Sequence, residues 1–457
     1  MSRPGDGRGP QPAPARSSAE AFAPPESVRD PSRAGPTEYG DRASGAGAAP
    51  APHRAQPFRP WEIVPALLIG LGSLLWLVPA LRDPNYLDLG LAYRGGLEAW
   101  ASGRPENLRS WMSTPFLALV MAIVSRAVSV EVAMRALTAA NVLLLAAIVF
   151  FTWRRLRART SRGFFWLTLA CGVSFSPAIS TILLKQFNLL VLALALAGFL
   201  RVREGRQVQG GALAALSVAV KPILVLLPLA LLARRDTRKA GLVCVLGIAA
   251  LTATAQAFLA WRAGELAALS PLPALQNFSV KTAPWVEHQE NFSPQALLWR
   301  VWQGGRFRDQ RRLVLLAVGL VVLLANEAAR RARGSSFEMF ALAALLSPML
   351  SPIAWSHYQL FLAPMFLLLA YRFHAAGARW PFWAMLVFAF VLAELVQRPL
   401  GDTLPGALGY LLTGASESQS AFERTLAVSQ FAQYFLLLTW FSWLGSDPAS
   451  GARDEPR

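Results

Sequence analysis

"GGALAALSVAVKPILVLLPLALL" (210–232) decides how the chain is read. The stretch is apolar almost throughout, and basic segments flank it: "RVREGR" (201–206) before and "ARRDTRK" (233–239) after. A helix needs ~20 apolar residues to cross ~30 Å of hydrocarbon, so the stretch is too short for two full spans. Basic segments at both ends nevertheless belong on the same, cytoplasmic side. A re-entrant pair of half-helices satisfies both demands, with its tip at "VKP" (220–222). Irregular backbone at membrane depth is tolerated only when it is buried in protein or lines a cavity. Lys221 stands at that tip, where a charge costs ~2.5–3.5 kcal/mol by insertion scales. A functional role fits such a lysine; snorkelling or an internal ion pair is the alternative.

The rest of the chain supports a bilayer. It has 457 residues, 54% of them hydrophobic, and a mean hydropathy of +0.38. Soluble domains need more surface charge than that. Apolar runs recur at 62–81, 131–153, 163–200, 240–261, 312–325, 337–371, 381–395 and 427–444. The expected fold class is all-α: a polytopic integral membrane protein with about 10–12 transmembrane or re-entrant helices. The formal net charge is +17, but the basic residues sit in short loops such as "RRLRARTSR" (154–162), "ARRARG" (329–334) and "YRFHAAGAR" (371–379). That pattern anchors loops in the cytoplasm. A nucleic-acid surface would interleave basic and exposed aromatic residues on a soluble face, and no such patch occurs. Cys171 and Cys244 are the two cysteines; neither has Cys, His or Asp neighbours that suggest a disulfide framework or a metal site.

Three parts are expected. Residues 1–57, rich in Pro, Gly, Ala, Arg and Ser, form a disordered cytoplasmic tail. Residues 58–445 form the membrane domain, and 446–457 a short cytoplasmic tail. Arg54 and Arg59 place the N-terminus inside. Loop 82–111 is then outside, and so is the long loop 263–310 between spans 240–262 and 312–327. Segment 337–354 leads out to Trp355–Tyr358 at the outer rim, 359–371 returns, and 381–395 and 427–444 complete the set. The run 163–200 folds as a hairpin with its tip at "LLKQFN" (183–188). Two spans within 112–153 would leave "RRLRARTSR" outside, a conflict the residues leave open.

In this layout the unusual polar residues gather at one membrane face. They are Asp88, Lys185, Gln186, Asn188 and Lys221, with His288 and Asn291 in the long loop and His357 at the rim. Each also has a plain explanation. A lone Asp88 reads as a solvated or N-capping acid, on a segment (85–103) whose helical spacing suits an interface, with Asp83 and Glu98 as rival acids. Lys185 lies near a turn, and His357 could be a hydrogen-bonded interfacial histidine. The segment around His357, "LLSPMLSPIAWSHYQLFLAP" (345–364), carries Pro348 and Pro352, which would end the span early and let polar side chains line a cavity.

"SPMLSPIAWSHY" (347–358) resembles the Ser-Pro-Ile-Ser-Trp-x-His-Tyr signature of glycosyltransferase family 87. Further pieces agree in order: "DLGLAYRGGLEAWASG" (88–103), "STPF" (113–116), "SPAISTILLKQFNLLVL" (176–192), "GGALAALSVAVKP" (210–222) and "ENFSPQALLWR" (290–300). The chain departs from the family pattern at Lys185 for Gly, at Phe292 for Gln, and at Thr114 for one of two prolines. The resemblance implies a GT-C-like architecture. It also implies transfer of a hexosyl residue, mannosyl first and arabinosyl as a variant, from a polyprenyl-phosphate sugar to a lipid or cell-envelope glycan. The transfer is expected to be inverting and metal-independent, with no cofactor, on the extracytoplasmic side of the cytoplasmic membrane.

The resemblance places Asp88 as the base. His357 would donate to the phosphate or orient the acceptor. Lys185, Lys221 and Arg300 are candidates to hold phosphate, while Gln186, Asn188, Asn291, Ser293, Trp355 and Tyr358 complete the substrate contacts. Expected partners are membrane lipid, the donor and the acceptor, and no nucleic acid. A transporter or flippase would use the same intramembrane lysines and broken helices, commonly with internal repeats, and no convincing repeat joins the halves. The departures at Lys185 and Phe292 also allow an inactive scaffold.

Overall fold

The computed structural model describes residues 78, 87–104, 113–156, 175–265, 269, 293, 336–351 and 355–375. These residues are helical, with no strand among them. The chain divides into two units, Met1–Pro52 and His53–Arg457, and every described residue falls in the second. Both expected tails, the spans at 312–327, 381–395 and 427–444, and all of the span at 62–81 but Val78 lie outside the described residues.

Helices α1 (Leu87–Ser102), α2 (Pro115–Ala127) and α3 (Val130–Leu156) open the described part. At 13 residues, α2 is ~20 Å long at 1.5 Å per residue and falls short of the hydrocarbon thickness. Only α3, over Val130–Thr152, is both long and apolar enough to cross. The run 112–153 therefore holds one full-length span and one short helix, and the two-span conflict does not arise.

Rather than lying alone along an interface, α1 packs against α2, α3 and α8 (Arg238–Ala263). It buries Leu89, Ala92 and Ala99. Gly96 makes that packing close, because a Cβ there would collide with the α2 backbone at Met121 and Ala122. Tyr93 Oη donates to Ser125 O (3.1 Å) and Val128 O (2.9 Å), carbonyls at the helix end that lack helical partners.

Two broken hairpins follow. Helix α4 (Ser176–Leu183) turns into α5 (Asn188–Arg203), and α5 lies along α6 (Gln207–Val220). Backbones approach closely at Gly198 and Gly210, and buried Ser217 Oγ ties α6 to α5 by donating to Val191 O at 2.9 Å. After Lys221 a 3₁₀ turn, Pro222–Leu224, leads into α7 (Leu227–Ala233). The chain bends by 113° between the two arms. Pro222 causes the break: it lacks an N–H and disfavours helix at the residue before it, and Lys221 is extended (φ −150°, ψ 120°). The bent pair expected at "VKP" is present.

Helix α8, 26 residues, is the second one long and apolar enough to cross. On α3 and α8 large apolar side chains face outward: Leu143 is 69% exposed, Leu246 67% and Trp261 72%. Exposed apolar side chains of that size are unfavourable in water and suited to acyl chains. The protein is an all-α membrane protein.

Helix α9 (Ser336–Leu350) precedes a 3₁₀ segment, Ser356–Leu362, and α10 (Ala363–Ala375). Pro348 does not end α9, contrary to expectation; the helix runs through it to Leu350. So near the C-terminus, the missing N–H removes only one late helical bond. Ser347 Oγ donates to Ala343 O (2.7 Å) and accepts from Leu226 N (3.2 Å), fastening α9 to the α6–α7 break. Pro352 lies outside the described residues.

Candidate active site

Three irregular backbones meet at the site. The first is the α4–α5 turn. Lys185 closes it in the left-handed region (φ 51°), with Gln186 N bonding back to Thr181 O at 2.9 Å and Lys185 N to Ile182 O at 3.2 Å. This is a helix C-terminus of the kind usually closed by glycine. From α3, Asn141 Nδ2 donates to Gln186 O (2.9 Å) and steadies the turn. The second is the α6–α7 break at Lys221, and the third is the 3₁₀ segment that carries His357. Asp88 joins them from the first turn of α1.

The side chains form one connected set. Gln186 Nε2 donates to Asp88 Oδ2. Lys221 Nζ donates to Gln186 Oε1 (2.6 Å) and to Asn188 Oδ1 (3.0 Å). Asn188 Nδ2 reaches His357 O at 3.4 Å. The Lys221 ammonium also lies 4.7 Å from the Tyr358 ring centroid, and the His357 and Tyr358 rings meet edge-on at 4.8 Å. An ammonium only donates, so both amides must present oxygen to it and turn NH₂ outward. Lys221 is thus held by two neutral amides and a ring, with the Asp88 carboxylate within electrostatic reach.

His357 is 4% exposed, and its Nε2 has no hydrogen-bond partner among the described residues. Gln359, 1% exposed, has neither amide atom bonded among them. Buried polar atoms without partners cost ~1–3 kcal/mol each, so such groups ask for a ligand or water.

The structure brings Asp88, Gln186, Asn188, Lys221, His357 and Tyr358 together. Glu98 stays apart: it is ten residues along α1 from Asp88, ~15 Å at helical rise. Lys185 is buried at the adjacent turn (1% exposed), Ser293 is fully buried, and Trp355 opens the 3₁₀ segment, its carbonyl accepting from Tyr358 N at 2.8 Å. Asp83, His288, Asn291 and Arg300 lie outside the described residues. Thr114, the departure from the paired prolines, has a structural use. It caps α2 by accepting from Leu117 N (3.1 Å), and its hydroxyl donates to Ala219 O near the end of α6.

Sequence reasoning missed Asn141 and Gln359. A single amide inside a long apolar helix gives no pattern to read, and only the turn it supports explains Asn141. Chemically, the arrangement offers a carboxylate oriented by an amide, an ammonium on that amide's other end, and a buried imidazole. It can accept a proton and stabilise a developing anion within one cluster.

A family model described as glycosyltransferase family 87 matches residues 111–352, just over half of the chain. The match takes in Lys185, Gln186, Asn188 and Lys221, while Asp88 and His357 lie beyond its ends. No curated protein and no solved structure matches the chain.

Proposed function

Because the chain belongs to glycosyltransferase family 87, and is therefore a glycosyltransferase built into a membrane, we propose that it transfers a hexosyl residue, most simply mannosyl, from a polyprenyl-phosphate sugar. The acceptor is a lipid or cell-envelope glycan on the extracytoplasmic side of the cytoplasmic membrane. The single observation that supports this reading is the sharing of one amide: Asp88 and Lys221 lie on the two ends of Gln186.

In the proposed reaction Asp88 takes the proton of the acceptor hydroxyl. The hydroxyl oxygen attacks the anomeric carbon from the face opposite the phosphate. The carbon–oxygen bond to phosphate breaks, its electron pair stays on the phosphate, and the anomeric centre inverts. Lys221 has three donors, of which the amides occupy two; the third meets the leaving phosphate, where a fixed cation contributes most. His357 Nε2, buried and unpartnered among the described residues, bonds a phosphate or sugar oxygen. The chemistry is metal-independent and needs no cofactor.

The test uses purified protein in lipid vesicles with radiolabelled polyprenyl-phosphate mannose and, in parallel, the arabinosyl donor. Label should move into an acceptor with inversion. Asp88→Asn should lose ~10²–10⁴-fold in rate while still binding donor. Full turnover by Asp88→Asn would remove the base assignment. Flux of donor without a new glycosidic bond would replace transfer by transport, and label from the arabinosyl donor alone would change the sugar.

A further inference from the structure

Far from the reacting groups, the turn between α5 and α6 and the first turn of α8 border a cavity of about 280 Å³. Gly205, Arg206, Gln207, Val208, Gln209 and Lys239 line it, two cations and no acid. Protein contacts hold its walls. Gln207 Nε2 donates to Asp236 O (2.7 Å) and its Oε1 accepts from Ala240 N (3.2 Å), which fastens the turn to α8. Gly211 lets α6 touch α8, since a Cβ there would collide with Ala240 O. At Gly205 (φ 78°) a Cβ would meet nothing within 4 Å, so the turn itself leaves the space open.

Across 201–206 and 234–239 seven basic residues stand against two acidic ones. Both acids are taken: Glu204 pairs with Arg201 and Asp236 with Arg234, each at 2.9 Å. The exposed side chains of Arg206 and Lys239 have no ion pair or hydrogen bond among the described residues. The membrane surface lies beside them. Helix α8, 26 residues, is ~39 Å long against ~30 Å of hydrocarbon, so its first residues stand among the head groups. Lys239, Leu242 and Leu246 follow one another at i, i+3 and i+7, and the two leucines are 53% and 67% exposed. One face of α8 thus presents a cation and, one to two turns further on, bare apolar surface.

We propose that this cavity binds the head group of an anionic phospholipid, with Arg206 and Lys239 on its phosphate and an acyl chain along Leu242 and Leu246. Two cations without an acid match a head group of net negative charge; a zwitterionic one would bring a cation of its own with no carboxylate to meet it. Exposed Gln209 offers an amide to head-group hydroxyls. A free phosphate would use the cations alone and leave the leucines uncovered. The proposal is independent of the transferase reading: the cavity lies at the ends of α5 and α6 away from Asn188 and Lys221, ~20 Å along α6.

Native mass spectrometry of the full chain in detergent, titrated with dioleoylphosphatidylglycerol or dioleoylphosphatidylcholine, reads the affinity for the first bound lipid. The anionic lipid should bind ~10-fold tighter or more. Arg206→Gln and Lys239→Gln should each weaken it ~5-fold, and the pair ~25-fold. Neither should move the unfolding midpoint without added lipid, because neither side chain bonds to protein. Arg235→Gln, an exposed cation outside the cavity, should change the affinity less than about twofold. Leu242→Ser with Leu246→Ser should weaken the lipid and leave the binding of inorganic phosphate as it was. Equal affinity for the two lipids, or equal losses from Arg235→Gln and Arg206→Gln, would overturn the proposal in favour of diffuse attraction. A lowered midpoint with unchanged lipid affinity would overturn it in favour of a structural role. Inorganic phosphate that displaces the lipid as well as a second anionic lipid does, with no loss in the leucine variant, would overturn it in favour of a free anion.

Discussion

Two helix breaks bear a lysine each, and they use it differently. At the α4–α5 turn, Lys185 adopts a left-handed backbone and is almost fully buried. At the α6–α7 break, Lys221 is extended beside a proline and partly buried, with its ammonium on two amides and over a ring. The first position is one that glycine fills without steric cost, and a lysine there carries ~1–2 kcal/mol of backbone strain. The second position constrains nothing beyond what Pro222 already imposes. The first break thus makes its sharpest demand on the backbone, and its next residues, Gln186 and Asn188, face the site. The second makes its demand on the side chain.

The largest effect should come from Lys221→Met. Removing the cation should slow transfer ~10²–10³-fold, as loss of one donor to a developing anion does elsewhere. It should also lower the unfolding midpoint, because Gln186 Oε1 and Asn188 Oδ1 lose their shared donor. Steady-state kinetics alongside thermal unfolding in detergent read both. Next comes Lys185→Gly, which relieves the left-handed strain. The relief is outweighed by the loss of a fully buried side chain and its interactions, so the midpoint should fall, while transfer should slow ~10-fold or less. If the two lysines prove equally costly in rate, the contrast between the breaks fails and Lys185 is as much a catalytic cation as Lys221.

Thr114→Val should be milder. It deletes the α2 cap and the bond to Ala219 O beside the second break. About 1–2 kcal/mol of stability should be lost, with transfer down only a few-fold. A rate loss as large as that of Lys221→Met would show that the break depends on its α2 anchor.

The smallest effect belongs to the far end of α7. There Arg234 bonds Asp236 at 2.9 Å and holds its carboxyl below the usual range. A depressed folded pKa stabilises the folded state above the unfolded value of ~3.9, and the gain is lost as pH falls through the folded value. Because Asp236 is largely exposed (58% for its side chain), Arg234→Ala should cost under ~1 kcal/mol at pH 7 and nothing once the carboxyl is protonated. Unfolding midpoints at neutral pH and below the folded pKa check it.

Both breaks were legible because prolines and polar residues interrupt otherwise apolar runs: "VKP" and "LLKQFN" announce themselves. The assembly around them was legible only in part. Asp88 and His357 are far from the breaks in sequence, and nothing local says that Asp88 meets Gln186 and not some other amide. The short α2 escaped notice for a different reason. It is as apolar as a span, and the interruption at Val128–Ser129 contains neither proline nor glycine. Asn141 escaped because its partner is a backbone carbonyl, which every residue possesses.

Helix α5 has 16 residues, ~24 Å at helical rise against ~30 Å of hydrocarbon. With Arg201 and Arg203 at one head-group layer, Asn188 stops ~6 Å below the other, and any tilt increases that depth. Mobile ions screen poorly at such a depth. Asp88 and Lys221 should therefore respond little to ionic strength. They should respond to the lipid instead: a thinner bilayer lifts the reaction toward water, and a thicker one obliges the phosphate to shed more of its hydration before it arrives.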